Sequence, residues 1–169
     1  MRSSCKALAL FAALIFGSAA ATPAASGVRA RDILPAEGLI ISSIAALHDQ
    51  AALDAHYYLA DETLLGLGRK TDAVLARYRT ETREALLLVA VYPTVGQADR
   101  VYGRFGRDFF SDRFDPRSPR IVEKLETGDW AGAARKGRVL VVILESPGRE
   151  ACDRLLRRAE EKTPSAKAP

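Results

Sequence analysis

Cysteine and histidine are nearly missing from this chain. Its 169 residues hold two of each, Cys5 and Cys152, His48 and His56. Cys5 precedes an apolar run at the start of the chain that has the pattern of an export leader, so Cys152 is left as the only thiol and an intramolecular disulfide is excluded. A Cys/His zinc site or a haem attachment motif fails by counting alone. Long apolar runs are also lacking. The longest near the start, residues 7–16, has ten residues, about half the roughly twenty that a membrane-crossing helix needs. Neither sign of charge dominates. The leader holds two of the 25 Lys and Arg and none of the 21 Asp and Glu, so its removal leaves a formal charge of +2. Most cations are Arg alternating with Asp or Glu, which suits a solvated surface and argues against nucleic acid as a partner. Ser42 and Ser43 stand in no nucleophile elbow, and residues 66–70 lack the spacing of a phosphate loop.

What is present begins with that leader. Arg2 and Lys6 precede the apolar run, and small residues continue through Ala21, the tripartite pattern of a secretory signal. Cleavage is expected after Ala21. Cys5 lies before the apolar run, so it cannot be the lipid-bearing first residue of a lipoprotein. The expected product is soluble, periplasmic or secreted, with no stable membrane insertion. Removing 21 of 169 residues leaves 148, a normal length for one domain with a sizeable core. Residues 22–32 are small, polar and proline-containing and read as a flexible lead-in, residues 33–162 as the domain, and residues 163–169 as a disordered tail.

Inside the domain, residues 39–43 read as a short strand and residues 44–59 as helix, with Gly66 and Gly68 breaking the segment after it. Residues 73–79 alternate as a half-exposed strand. Residues 85–92 are continuously apolar until Pro93 and read as a central strand buried on both faces. Thr94, with Gln97 three residues on, opens a helix whose inner stripe is Val95, Ala98, Val101, Tyr102, Phe105 and Phe109. Residues 111–120 read as a loop, residues 120–126 as an edge strand guarded by Glu123, Lys124 and Glu126, and residues 130–135 and 138–145 as a hairpin turning at Lys136 and Gly137. Ser146 as cap and Pro147 as first helical residue start a closing helix whose stripe is Cys152, Leu155, Leu156 and Ala159. Glu150 with Arg154 and Asp153 with Arg157 are spaced as surface pairs on it.

Strands joined by tight turns, with amphipathic helices after the second and fifth, predict an α+β fold: a mostly antiparallel sheet of about five strands with two or more helices packed on one face.

Few groups suggest chemistry. His48, Asp49, Asp54, His56, Asp61 and Glu62 crowd together, but on one helix the two histidines lie about 80° apart and two turns along the axis, too far for one ion. No metal ligand, catalytic residue or cofactor is therefore assigned. Arg100, Arg104 and Arg107 form a basic ridge on the outer face of the first long helix, which reads as a solvated face or as a seat for anionic lipid or glycan. Trp130, the only tryptophan, packs on the sheet or offers an edge to a ligand. Glu62 is the carboxylate best placed to join another, Glu123 for instance, in a cleft.

Residues 63–144 resemble a family of uncharacterised exported bacterial domains. The likeness is carried by residues 62–68 leading to the strand 74–79, by residues 88–98 with Tyr102 to Phe105, and by the hairpin 128–143. The chain departs from that pattern at Tyr58, Leu59 and Ala60, where the family carries an Asn-Gly-Gly turn. The resemblance implies export and a similar fold, and no activity.

The leading expectation is a non-catalytic module that binds an envelope protein or a small ligand, with Glu62, Trp130, Arg100, Arg104 and Arg107 as candidate ligand residues. Its rivals are a cofactor-free hydrolase using cleft carboxylates and binding of anionic lipid or glycan through the basic helix face.

Overall fold

The computed structural model describes residues 27–59, 63–110 and 114–164. The expected leader (1–21), Glu62, part of the loop after Phe110 and residues 165–169 lie outside the described residues. Six strands form one antiparallel sheet: β1 (Ala45–Leu47), β2 (Asp72–Arg79), β3 (Glu84–Val91), β4 (Arg120–Lys124), β5 (Trp130–Lys136) and β6 (Val139–Ser146). They lie side by side in the order β1-β2-β3-β6-β5-β4. The α+β class and the antiparallel sheet match the sequence pattern. The two central strands are paired in register from Leu87 opposite Ile143 to Val91 opposite Val139.

Helices α1 (Ala30–Ile33), α2 (Gln50–Asp54), α3 (Val95–Phe109) and α4 (Arg149–Lys162) cover this sheet. α1 and α4 share one face, packing on Val74, Leu87, Val89 and Val141, whereas α2 and α3 pack on the other, against Leu75, Leu88, Leu140 and Val142. The two long helices therefore lie on opposite faces, not together on one. The reason is in β3 and β6, whose side chains are apolar on both sides of the pleat and nearly all buried. One layer of helix would leave half of those side chains in water, at about 1.5–3 kcal/mol for each large one.

β2, read as half-exposed, is buried from Ala73 to Ala76, and only Arg77 and Arg79 of its second half face solvent. α3 begins where expected: Thr94 Oγ1 accepts from the Gln97 N–H at 3.1 Å. Its aromatic stripe makes a cluster in which Phe105 stacks on Phe109 at 4.7 Å and meets Phe110 edge-on at 5.8 Å. Tyr102 meets Phe114 edge-on at 5.3 Å. Val95, expected on the stripe, is exposed.

α4 starts two residues later than its sequence suggests. Gly148 is the N-cap, with no side-chain cap bond, because Ser146 is still paired with Trp130 across the sheet and belongs to β6. The far end of α4 is held firmly. Lys136 Nζ donates to the carbonyls of Glu160 (3.0 Å) and Thr163 (2.7 Å), and Lys162 Nζ to that of Leu34 (2.6 Å). These cations meet the carbonyls that a helix end leaves open. Thr163, expected in the tail, is buried. Close packing of α4 on the sheet depends on Gly132, where a Cβ would stand 2.7 Å from Leu156 Cδ1 and 3.0 Å from Cys152 Sγ.

The segment before β2 departs most from expectation. Ala30 and Ile33 of α1 are fully buried, so ordered structure begins inside the expected lead-in. Residues 41–43 form a single 3-10 turn, not a strand, and β1 and the short α2 replace the expected helix over 44–59. β1 exists because it pairs with β2, Ala46 lying opposite Val74. Ser43 Oγ accepts from the Arg77 N–H at 2.8 Å, extending that edge.

Candidate functional site

The β2–β3 turn, the turn at residues 35–38 and the start of α4 meet at one end of the sheet. Gly38 seals the first junction. Its φ of +76° disfavours any side chain, its carbonyl accepts from the Arg79 N–H at 2.7 Å, and a Cβ there would lie 2.8 Å from the Arg79 carbonyl oxygen. Glu37, next to it, forms an ion pair with Arg158 of α4. The β2–β3 turn is closed by Thr80, whose N–H donates to the Arg83 carbonyl at 3.0 Å. Tyr78 anchors the wall from below, donating its hydroxyl to the Pro35 carbonyl at 3.0 Å.

Between these parts lies a cleft of about 510 Å³. Its walls are Glu37 and Gly38, residues 79–82, and residues 147–151 with Arg154, Leu155 and Arg158. Pro147, Ala151 and Leu155 supply apolar surface, and Arg79, Arg149, Arg154 and Arg158 supply cations. Arg158 is neutralised by Glu37. The Arg149 guanidinium lies over the Trp130 ring, 5.7 Å from its centroid. Arg79 and Arg154 have no acidic partner among the described residues. Of the two pairs expected on α4, Asp153 with Arg157 forms at 3.6 Å, whereas Glu150 with Arg154 does not.

The residues singled out from sequence do not converge. Glu62 lies outside the described residues, so its pairing with Glu123 of β4 is not described. Trp130 opens β5, half-buried, and touches the cleft only through Arg149. Arg100, Arg104 and Arg107 line a separate open concavity of about 700 Å³ beside α3 with Gly66, Gln97 and Pro116. Within it Arg104 acts as a strap: its guanidinium donates to the Leu64 carbonyl at 3.1 and 3.3 Å and also to that of Thr63. Arg100 and Arg107 are exposed and lie back along their own helix beside Gly96 and Gly103.

Most groups with displaced acidity belong to the core; Tyr57 and Glu160, both raised chiefly by burial, are half-buried. Tyr92 donates to the Leu65 carbonyl at 2.6 Å and Tyr102 to that of Ser118 at 2.9 Å. Burial raises the phenols of Tyr78 and Tyr92 and pushes that of Tyr102 up to about 12. The Cys152 thiol is likewise pushed up to about 12, chiefly by burial. Burial also raises the Glu160 carboxyl against the opposing pull of Arg120, which bonds it at 3.0 Å while also holding Asp153 at 2.7 Å. None of these groups lines the cleft. His48 and His56 are both exposed, and among the described residues no three His, Cys, Asp or Glu side chains come together as a metal site would require.

Sequence reasoning missed the cleft because Arg149, Arg154 and Arg158 read as ordinary surface cations of α4, and nothing in the sequence connects them with Arg79 at the end of β2. No protein-family model, no curated protein and no solved structure matches this chain.

Proposed function

We propose that the chain is an exported, non-catalytic binding module of the cell envelope whose ligand seat is the cleft between α4 and the β2–β3 turn. The observation that carries this reading is the cleft itself. Its volume falls in the range of small-molecule pockets, and it combines an apolar floor with a few charged groups from three separate elements, as such pockets do. Export is supported by the leader-like pattern of residues 1–21. A binding role, as opposed to catalysis, is supported by where the perturbed acids lie: Tyr78, Tyr92, Tyr102 and Cys152 are buried among core side chains, the three tyrosines bonded to backbone carbonyls, and none of the four lines the cleft.

Trp130 provides a natural reporter, since it is the only tryptophan and Arg149 bridges it to the cleft. A library of small metabolites is screened by Trp130 fluorescence and thermal shift against the purified protein and against Ala151→Phe, which fills the cleft floor. Ligands that stabilise the native protein and leave Ala151→Phe unmoved are the expected result. A library in which every hit stabilises both proteins equally, or which yields no hit, would sink the reading.

A further inference from the structure

The charge balance of the cleft identifies the kind of molecule it fits. We infer that its occupant is an amphiphilic monoanion, a single carboxylate carried on a short apolar chain; this inference rests on the binding-module reading and adds the chemistry of the ligand. Arg158 is neutralised by Glu37 at one end. That leaves Arg79, Arg149 and Arg154 facing Glu81 and Glu150 across the same space, a surplus of one positive charge. One carboxylate neutralises that surplus, while a second negative charge would sit beside two glutamates and be repelled. Arg79 comes from the end of a strand and Arg154 from the second turn of α4, so two planar forks of fixed origin are available for bidentate contact.

The apolar part of the ligand has its own surface. Leu155 forms the floor, beside Ala151 of the same helix and Pro147 just before that helix, and the three line the cleft together with Arg154. Arg154 has the correct i, i+4 neighbour in Glu150 yet makes no bond to it, so its guanidinium is not already neutralised within the helix. A nucleic acid or other polyanion does not fit this description, because the acids among the cations work against repeated negative charge.

Three probes with the same chain and different heads test the assignment: octanoate, octanol and octylammonium, each titrated into the isotope-labelled protein and followed by amide NMR. The expected result is saturable octanoate binding that shifts residues 79–82 and 148–155, with octanol and octylammonium at least tenfold weaker. Arg79→Gln and Arg154→Gln should each weaken octanoate roughly tenfold, the size of one lost charge-assisted bond, and leave octanol unchanged. Arg100→Gln, the same charge change on the other face of the sheet, should leave octanoate within about twofold. If it weakens binding as much as the cleft variants do, the attraction is bulk charge and the inference falls. Octanol or octylammonium binding as tightly as octanoate, and lost in Ala151→Phe, would overturn the anion while keeping the cleft as the seat. No saturable shift from any probe would overturn the anion, and if the metabolite screen is also empty the binding-module reading goes with it.

Discussion

α3 and α4 are nearly equal in length, lie on opposite faces of one sheet and are both rich in arginine, yet their arginines do different things. On α3, Arg104 ties down the segment at residues 63–64, and Arg100 and Arg107 fold back over glycines of their own helix. On α4, Arg158 reaches across to another turn, Arg149 covers a tryptophan and Arg154 faces a concavity. The difference lies in what surrounds each helix. α4 starts beneath two turns from other parts of the chain, and its cations share a cleft with the apolar Pro147, Ala151 and Leu155, whereas in the concavity beside α3 Arg104 is spent on backbone carbonyls and Arg100 and Arg107 lie along their own helix. Cations tied to backbone or laid along their own helix make a surface. They become a site where they stay unpaired beside apolar walls.

The largest effects that separate or equate the two helices are expected in the core. If the two helical layers are equal partners, truncation beneath either should cost heavily: Phe105→Ala under α3 about 3–5 kcal/mol and Leu156→Ala under α4 about 2–5 kcal/mol, by urea unfolding. A large loss on one face and a small one on the other would mean that only one layer builds the domain. The arginines of α3 come next. Arg104→Gln should cost about 1–2 kcal/mol through the lost carbonyl bonds, whereas Arg100→Gln and Arg107→Gln should stay within about 0.5 kcal/mol. Equal losses from all three would erase the distinction between strap and ridge.

The last effect concerns protons. In the unfolded chain the Cys152 thiol titrates near about 8.5 and tyrosine near about 10. In the fold, Cys152 and Tyr102 hold their protons to about 12, and Tyr78 and Tyr92 are raised as well. Between the unfolded and folded values the unfolded state binds fewer protons, so stability falls as pH rises; below about 8.5 this contribution is constant. Urea midpoints at pH 7, 9 and 10.5 should therefore decline in that order. Cys152→Ala should flatten the first part of the decline, and Cys152 should resist thiol reagents at pH 8 until the protein unfolds. A flat profile, or rapid labelling of the native protein, would contradict the burial of the α4 face.

The parts of this fold that could be recognised from sequence are those with strong local pattern. β3 announced itself as a doubly buried strand and α3 as a capped amphipathic helix, and both stand where expected. The two apolar sides of β3 and β6 call for two covering layers, yet the helices were expected on one face, because helix periodicity says nothing about which layer a helix joins. β1 and α2 were obscured because three and five residues carry little intrinsic preference, and pairing with β2 overrides the helical tendency of their alanines and leucines. The cleft was obscured more completely, since no spacing connects Arg79 with Arg154.

The strand order has a further consequence in time. β2 and β3 form one hairpin and β5 and β6 another, each closing a short turn, whereas the central pairing sets Leu88 against Val142, joining the two hairpins across all of α3 and β4. Closing so long a loop is entropically costly and slow compared with forming either hairpin. We expect the two hairpins to organise separately and the rate of folding to be set by their union. Stopped-flow refolding of Val142→Ala should then be slowed, with little change in unfolding rate; the reverse pattern would place the seam after the barrier. The middle of the sheet, its most deeply buried part, would be the last place where the two hairpins meet.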